Sequence, residues 1–238
     1  STFQTNPYDF SKLLEDCHRG VLQLPDFQRS WVWDEDRIKS LIASISRAFP
    51  VGALMTLETG GDVNFKPRPI EGAPLAAKDV RPGSLLLDGQ QRMTSMYQVS
   101  MRDKVVETVT PKKKKVKRWF YIDIRKALDS SIDREDAIVG VPEDRIVRGE
   151  FGREAGPDLS SDEQAYKLLM YPVTKVFDWD RWQDGFDKAW RGDEHESVRE
   201  EFRRFKREVL ENFKYYRVPV IALDRSTSKE AKFCSIGS

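Results

Sequence analysis

The sequence predicts an α+β fold in which a mixed sheet is flanked by helices. Strand-like and helix-like runs both occur along the 238 residues, but they do not alternate regularly, as a doubly wound parallel sheet would require. From residue 178 onwards the chain becomes aromatic and charged, with Trp179, Trp182, Phe186 and Trp190 at helical spacing. We therefore expect a core at residues 1–160 and a helical extension with a returning strand at residues 161–238.

Composition excludes several classes of protein. Charged residues make up 33% of the chain, mean hydropathy is −0.60, and no apolar run approaches the roughly 20 residues that cross a bilayer. No signal-peptide pattern opens the chain, so we expect a cytoplasmic protein. Cys17, Cys234, His18 and His195 are too few for a disulfide framework or a zinc cluster. With a net charge of +1, nucleic acid would have to bind at a local basic patch.

The first half of the chain shows clear start and stop signals. Asn6-Pro7 predicts the cap and first turn of a helix that ends near Gly20, and a strand at 21–24 follows. Asp34 is placed to cap an amphipathic helix that ends before Pro50. The apolar stripe of that helix comprises Ile38, Leu41, Ile42, Ile45 and Phe49. A strand at 53–58 and a long loop at 59–83 lead to residue 84.

The elements after residue 100 follow from β-rich runs and helical stripes. They are a hairpin of strands 105–109 and 116–124, short strands at 137–141 and 145–147, a loop at 151–160, a helix from Ser160 or Ser161 to Met170, a helix at 194–215, a strand at 217–223 and a final helix from Ser228. Pro219 predicts that its strand lies at a sheet edge, or that the proline is near the strand's start. Ser1 and Gly237-Ser238 resemble additions left by cloning, so we expect the natural protein to continue.

The central feature is a strand, a glycine turn and a helix. Leu85–Leu87 predict a buried strand, Asp88-Gly89 breaks it, and no glycine or proline interrupts residues 90–102. A helix N-terminus presents unpaired N–H groups and the positive end of the helix dipole, which together bind anions. The sequence thus indicates a phosphate site at this turn.

Polar side chains in the first turn of this helix fit the same chemistry. Gln90 and Gln91 can form hydrogen bonds, Arg92 can hold phosphate oxygens through two nitrogens, and Asp88 could hold a metal-bound water. A structural explanation is equally open, in which Gly89 relieves the turn, Asp88 caps the helix and Arg92 lies in solvent.

A second polar loop, at residues 24–33, crowds aromatic residues, an amide and an arginine between predicted elements. Loops held on a rigid frame often carry binding sites. Arg29 could contact phosphate. Trp31 and Trp33 either stack on a base or, as is commoner, pack on the core.

Four consecutive lysines, Lys112, Lys113, Lys114 and Lys115, lie at the tip of the predicted hairpin. They could bind a DNA backbone with salt-sensitive affinity and no base specificity. Equally, they could be solvated charges that protect the hairpin from edge pairing.

Well-known catalytic motifs do not account for the chain. It contains neither Gly-x-x-x-x-Gly-Lys-Ser/Thr nor His-Glu-x-x-His. Glu230-Ala231-Lys232 matches half of a metal nuclease motif, but it has no convincing acidic partner, and we attribute it to chance.

Two loops together resemble a known family. Leu24-Pro25-Asp26-Phe27-Gln28-Arg29 with Trp33, and Leu87-Asp88-Gly89-Gln90-Gln91-Arg92, are similar to segments of the N-terminal domain of GmrSD-type, modification-dependent restriction enzymes. That domain is related to ParB and sulfiredoxin. The likeness extends through Ser44-Ile45, Phe49-Pro50-Val51-Gly52 and Tyr216-Arg217-Val218-Pro219-Val220-Ile221, and is looser between about 100 and 210. The resemblance implies a ParB/sulfiredoxin-like core.

The resemblance also implies that the Asp-Gly-Gln-Gln-Arg loop binds and helps to hydrolyse a nucleoside triphosphate, with the Phe-Gln-Arg loop facing it across one pocket. Arginines would neutralise the phosphates, a glutamine would orient water, and Asp88 would support Mg²⁺ through water. The predicted catalytic residues are Gln28, Asp88, Gln91 and Arg92, and the predicted nucleotide contacts are Arg29, Trp33, Gly89, Gln90, Arg92 and Thr94.

The expected partners follow from the same resemblance. Nucleotide turnover would be coupled to the sensing of foreign or modified DNA, which a His-Asn-His type nuclease domain then cuts. The sequence lacks that domain and ends where the family continues into a Glu-x-x-Asn segment, so we expect no DNA cleavage by this chain, and weakened hydrolysis if that segment completes the pocket. The alternatives are a non-catalytic nucleotide switch and a reader of DNA modification, and pairing into a homodimer is also open.

Overall fold

The computed structural model describes residues 3–61, 65–149 and 154–226. The strands are β1 (Phe3–Asp9), β2 (Leu22–Pro25), β3 (Leu54–Glu58), β4 (Pro67–Arg68), β5 (Ser84–Asp88), β6 (Val106–Val109), β7 (Lys115–Asp123), β8 (Ile138–Val141), β9 (Met170–Pro172) and β10 (Arg217–Leu223). The α-helices are α1 (Phe10–Arg19), α2 (Glu35–Ser46), α3 (Gln90–Ser100), α4 (Ile124–Leu128), α5 (Asp162–Leu168), α6 (Asp180–Ala189), α7 (Glu196–Phe205) and α8 (Glu211–Lys214). The predicted α+β class is confirmed.

Contacts divide the chain into two compact units that do not follow chain order. The first unit lies within residues 1–32, 50–101 and 215–238, and the second within residues 33–49 and 102–214. The division after residue 160 that the sequence predicts falls inside the second unit. Within the described part of the chain, no helix is long and apolar enough to cross a membrane.

The first unit is built on a mixed sheet with the strand order β1-β10-β3-β5-β2-β4. β5 runs parallel to β2 and antiparallel to β3, while β10 runs parallel to β3. Leu86 of β5 is fully buried, as its apolar run predicts, and α1 packs against α3 with Leu14, Met93 and Met96 in the core. These strand directions place the C-terminal ends of β2 and β5 and the N-terminal ends of β3 and β10 at the same end of the sheet.

The predicted start of the first helix is wrong. Asn6-Pro7 belongs to β1, and α1 begins only at Phe10 and ends at Gly20, which adopts a left-handed backbone. β1 pairs along its whole length with β10, from Phe3 opposite Leu223 to Asp9 opposite Arg217. β1 is an edge strand, where proline is tolerated because the ladder does not need its missing N–H. Pairing with a distant strand therefore overrides the local helix signal.

The second unit combines a small antiparallel sheet with an aromatic helical core. β7 pairs with β6 and β8, and β9 joins its C-terminal half, which confirms the predicted hairpin. Asp34 caps α2 by accepting a hydrogen bond from the backbone N–H of Arg37 at 2.9 Å, as predicted. The core includes Tyr171, Trp182, Phe186, Phe202 and Phe205, all buried.

The structure corrects two predictions about element ends and positions, and it decides between the two alternatives given for Pro219. The second helix ends at Ser46, so Phe49 does not join its stripe and is 46% exposed, with Arg47 stacked on its ring. Residues 145–147 form an isolated bridge between Ile146 and Asp158 instead of a strand. β10 is an interior strand, and Pro219 lies near its start, before the pairing with β3 begins at Val220.

The remaining predicted elements that lie within the described residues agree with the structure apart from shifted ends, and the start of the predicted loop at 151–160 lies outside those residues. The long helix predicted at 194–215 comprises α7, a π-helix at Lys206–Leu210 and α8, and its stripe is buried as expected. The predicted loop at 59–83 also contains β4 and a 3-10 turn at Leu75–Asp79. The final helix predicted from Ser228 lies outside the described residues.

Candidate functional site

Four sequence segments converge at one end of the six-stranded sheet. Residues 26–32 follow β2, the turn at Gly89 follows β5, residues 50–53 precede β3, and Tyr216 precedes β10. Neighbouring parallel strands bring their C-terminal ends together, and such ends commonly hold ligands in α/β sheets. We call the contact between residues 26–32 and residues 86–92 the motif clasp.

Gln28 ties the first loop of the clasp to the central strand. Its side-chain Nε2 donates to the carbonyl oxygens of Leu87 at 2.8 Å and Leu86 at 3.1 Å. Its Oε1 is buried and has no hydrogen-bond partner among the described residues. A buried acceptor without a donor is costly, so this oxygen is suited to accept a hydrogen bond from water or ligand.

Gln91 closes the clasp from the helix side. This residue is only 7% exposed, its Oε1 accepts from the backbone N–H of Val32 at 2.9 Å, and its Nε2 donates to the carbonyl of Ser30 at 3.1 Å. One buried amide therefore satisfies a donor and an acceptor of a loop 60 residues away in sequence. Its role in this structure is to hold the loop.

Arg92 is committed to the turn before β3. Its two terminal nitrogens donate to the carbonyl oxygens of Val51 at 2.6 Å and Ala53 at 2.8 Å. A Cβ on Gly52 would lie 2.8 Å from one of these nitrogens, so the turn needs glycine to let the guanidinium approach. Burial raises the pKa of Tyr216, while the backbone of Val51 and the charge of Arg92 oppose that rise. Arg92 thus fixes the shape of the turn. A phosphate bound by Arg92 would have to share the guanidinium with these two carbonyl oxygens.

Gly89 shapes the start of α3. Its φ of +92° lies in the left-handed region, and a Cβ there would lie 2.2 Å from Leu54 Cδ2. No side chain caps the helix, so the backbone N–H groups of its first turn have no capping acceptor. Asp88 is exposed and does not act as the cap, which corrects that part of the structural explanation.

Three polar side chains of the clasp remain available to a ligand. Arg29 is exposed, Gln90 is half-buried, and the side chains of both make no hydrogen bond or ion pair with the described residues. Asp88 is exposed beside them in sequence. An uncapped helix start, a free guanidinium, a free amide and a carboxylate can together bind a polyanion and its cation.

Residues of the long loop support the clasp, and sequence reasoning missed them. Arg68 donates to the carbonyl oxygens of Gln28 at 3.1 Å and Arg29 at 3.4 Å, and Glu71 accepts from the backbone N–H of Trp31 at 2.9 Å. The indole of Trp31 donates to Ser95 Oγ of α3 at 2.9 Å. Trp31 is therefore a structural anchor, whereas Arg68 and Glu71 lie in a segment without periodicity or motif to identify them.

Other predicted contacts lie elsewhere. Thr94 is 2% exposed, on the buried face of α3 one turn beyond the helix start. Trp33 belongs to the second unit, where its carbonyl accepts from Thr108 Oγ1 at 2.8 Å. The four lysines Lys112–Lys115 also belong to the second unit and are exposed.

The carboxylates present fit one kind of metal site. In the described part of the chain, no three His, Cys, Asp or Glu side chains cluster as metal ligands. Mg²⁺ is commonly bound by one or two carboxylates together with substrate phosphates. Asp88, exposed at the strand end, fits a Mg²⁺ ion that arrives with a triphosphate.

Comparisons with known proteins identify a family and a relative that the chain resembles. The family described as the GmrSD restriction endonuclease, N-terminal domain, matches residues 10–234. The chain is also 26% identical over 220 residues to the uncharacterized protein MJ0686 of Methanocaldococcus jannaschii, which covers 90% of this chain. The chain spans 35% of the length of that relative.

Proposed function

We propose that this chain, which belongs to the family of GmrSD restriction endonuclease N-terminal domains, binds a nucleoside triphosphate at the motif clasp and hydrolyses it. Family membership places the chain in the context of a restriction system. The further proposal is that nucleotide turnover is coupled there to the sensing of foreign or modified DNA, which a nuclease domain elsewhere in the full-length protein, or in a partner, would cut.

One observation carries the nucleotide proposal: Gln28 and Gln91 join the two motif loops through four hydrogen bonds of 2.8–3.1 Å. Arg29 and the start of α3 are thereby carried on segments fixed to each other. Nearness along the chain does not bring them together, because the loops are separated by about 60 positions.

The roles assigned to the side chains follow from what each one already contacts. We assign phosphate binding to the first-turn N–H groups of α3 and to Arg29, whose side chain has no hydrogen-bond or ion-pair partner among the described residues. Gln90, or the unpaired Oε1 of Gln28, would orient the attacking water. Gln91 would hold the first loop and Arg92 the turn before β3, with Arg92 also adding positive charge near the phosphates. Bound Mg²⁺, held through water by Asp88, would neutralise phosphate charge.

Phosphate release from each of the four common triphosphates, measured with Mg²⁺ and purified chain, tests the proposal. We expect turnover that Arg92→Ala lowers on the order of 10²-fold or more, since the change removes positive charge near the phosphates and also the two bonds that hold the turn before β3. Arg92→Lys keeps the charge but loses the two-pronged contact, and should recover only part of the rate. Unchanged turnover in Arg92→Ala would contradict the assignment.

A second candidate, a nucleotide-binding switch without turnover, is favoured by one observation. The guanidinium of Arg92 and the amide of Gln91 are already bonded to the backbone, so fewer groups remain to stabilise a transition state. Triphosphate binding without phosphate release would favour the switch. Release that depends on Arg29 and Gln90 would favour the hydrolase.

A further inference from the structure

The second unit carries a basic hairpin that, among the described residues, pairs with no third strand. Over Lys115–Arg118, β7 pairs with β6 alone among the described residues, and β8 joins only from Trp119 onwards. Residues 106–118 therefore form a two-stranded hairpin, which we call the lysine ribbon. A two-stranded ribbon is one of the shapes that the major groove of DNA, about 12 Å wide, admits.

The tip of the lysine ribbon concentrates positive charge that forms no ion pair within the described part of the chain. Lys112–Lys115 are exposed, and none of them forms an ion pair with a carboxylate of the described residues. Lys113 has a φ of +69°, and its N–H donates to the carbonyl of Thr110 at 2.8 Å, which fixes the turn. Four free ammonium groups on a fixed turn would each replace a counterion on a phosphate backbone.

Strand geometry continues this charge along one face. Alternate residues of β7 point to the same side, so Lys115, Lys117 and Trp119 share a face, about 14 Å long at the usual strand rise. Two acidic residues lie beside its middle: Glu107 is opposite Lys117, and Glu143 is 3.5 Å from the Lys117 ammonium. The opposite face is committed to the unit's interior, with Phe120 and Ile122 buried and Arg118 paired with Glu35.

A held arginine lies at the end of this face. The guanidinium carbon of Arg145 is 4.0 Å from the centre of the Trp119 ring, and the Trp119 indole is itself fixed by donating to the carbonyl of Glu143 at 3.0 Å. Arg145 has a φ of +64°, and its backbone bonds to Pro142 and Leu159 at 2.8 Å. Its Nε is buried without a partner, and its guanidinium makes no ion pair with the described residues. The fold thus holds Arg145 in an unusual backbone conformation, while its guanidinium forms no hydrogen bond with the described residues.

We propose that the lysine ribbon, together with the Arg145–Trp119 stack, is a binding surface for duplex DNA, with the ribbon in the major groove and the tip lysines on the flanking phosphates. The lysines supply affinity without sequence preference, and Arg145 supplies an oriented contact at a fixed distance from the tip. The proposal rests on the DNA-sensing part of the proposed function and gives it a surface, but it is separate from nucleotide hydrolysis, since this binding needs no triphosphate.

Binding of the full chain to a short fluorescent duplex, measured by anisotropy without nucleotide at several salt concentrations, tests the ribbon. Changing Lys112–Lys115 to Gln together should make the plot of log affinity against log salt less steep, by about 3 to 4 in the magnitude of its slope. The same change should weaken affinity at low salt on the order of 10²-fold. A matched control changes four other exposed lysines to Gln, Lys12, Lys78, Lys126 and Lys188, with the same loss of charge. Equal losses in the two variants, or a preference for single-stranded over duplex DNA, would overturn the proposal.

Two further variants test the stack. Arg145→Lys keeps the charge but not the planar group, so binding should weaken roughly 5- to 10-fold with the salt slope unchanged. Arg145→Gln also loses the charge, so the magnitude of the salt slope should fall by about one. If Arg145→Lys binds duplex with wild-type affinity, the Arg145–Trp119 stack is not part of the DNA-binding surface. Failure of the wild-type chain to bind duplex would overturn the whole proposal while leaving nucleotide turnover unaffected.

Discussion

The motif clasp and the lysine ribbon use polar side chains in opposite ways. In the clasp, the donors of Gln28, Gln91 and Arg92 bond to backbone carbonyls of the same unit at 2.6–3.1 Å. In the ribbon, four lysines have no ion-pair partner among the described residues. Short directional bonds depend on shape, whereas free charges act at longer range and are screened by salt. The clasp should therefore respond to changes in side-chain geometry, and the ribbon to ionic strength.

The largest expected effect concerns Gly89. Gly89→Ala combines a left-handed backbone with a Cβ 2.2 Å from Leu54 Cδ2, and should lower the free energy of unfolding by about 3 kcal/mol. Denaturant unfolding provides the measurement. Gly83→Ala is the matched control, because a Cβ there meets nothing within 4 Å, and its stability should stay within about 0.5 kcal/mol of wild type. Similar losses in both variants would show that the turn imposes no special geometry.

A smaller loss is expected from opening the clasp at Gln91. Gln91→Met retains the length of the side chain but leaves the N–H of Val32 and the carbonyl of Ser30 unpaired, at a cost of about 2 kcal/mol in unfolding free energy. Gln90→Met is the adjacent control, since the Gln90 side chain has no bond to lose within the described residues. Because both changes are neutral in charge, the difference between them should not vary with salt. Equal stability of the two variants would contradict the clasp.

The smallest effect is expected at exposed ion pairs of the second unit. Hydrogen bonds from Arg203 and then Arg199 lower the pKa of Glu196, and Arg203 likewise lowers that of Glu200. A carboxyl whose pKa is lowered by folding stabilises the fold above its unfolded-state pKa, and this contribution is lost as pH falls through the folded-state pKa. Both groups are fully exposed, so the loss should be slight and should shrink in high salt.

Unfolding of wild type and Glu196→Gln at neutral and acidic pH checks this expectation. The variant should lose part of the pH dependence and little stability at neutral pH. An acid-induced loss that is the same in both proteins would show that Glu196 does not contribute to it.

The local elements of the site could be predicted from sequence because their signals are local. Three leucines followed by Asp88-Gly89 specify a strand and a turn, and Asp34 specifies a helix start, and the structure confirms both. The lysine hairpin was likewise evident from two β-rich runs around a polar tip.

What the side chains contact could not be predicted, because those partners are distant in sequence. The residue type of Arg92 predicts phosphate binding, but its carbonyl partners at Val51 and Ala53 lie about 40 positions earlier in the chain. Arg68 and Glu71 support the clasp from a loop that has no pattern of its own. The helix signal at Asn6-Pro7 failed for the same reason, since pairing with β10 decides the conformation. The sequence thus predicts the elements of the candidate site, and tertiary contacts decide which of its residues remain available to bind a ligand.

The central claim is that two loops hold one triphosphate, and calorimetric binding of a non-hydrolysable triphosphate analogue with Mg²⁺ tests it most directly. Arg29→Ala, in the first loop, and Gln90→Ala, in the second, should each weaken binding, by about 10-fold or more for the arginine, with unchanged melting temperatures. Arg81→Ala, an exposed arginine of the same unit outside both loops, should bind as wild type. If Arg29→Ala also binds as wild type while Gln90→Ala does not, the ligand belongs to one loop only and the account is contradicted.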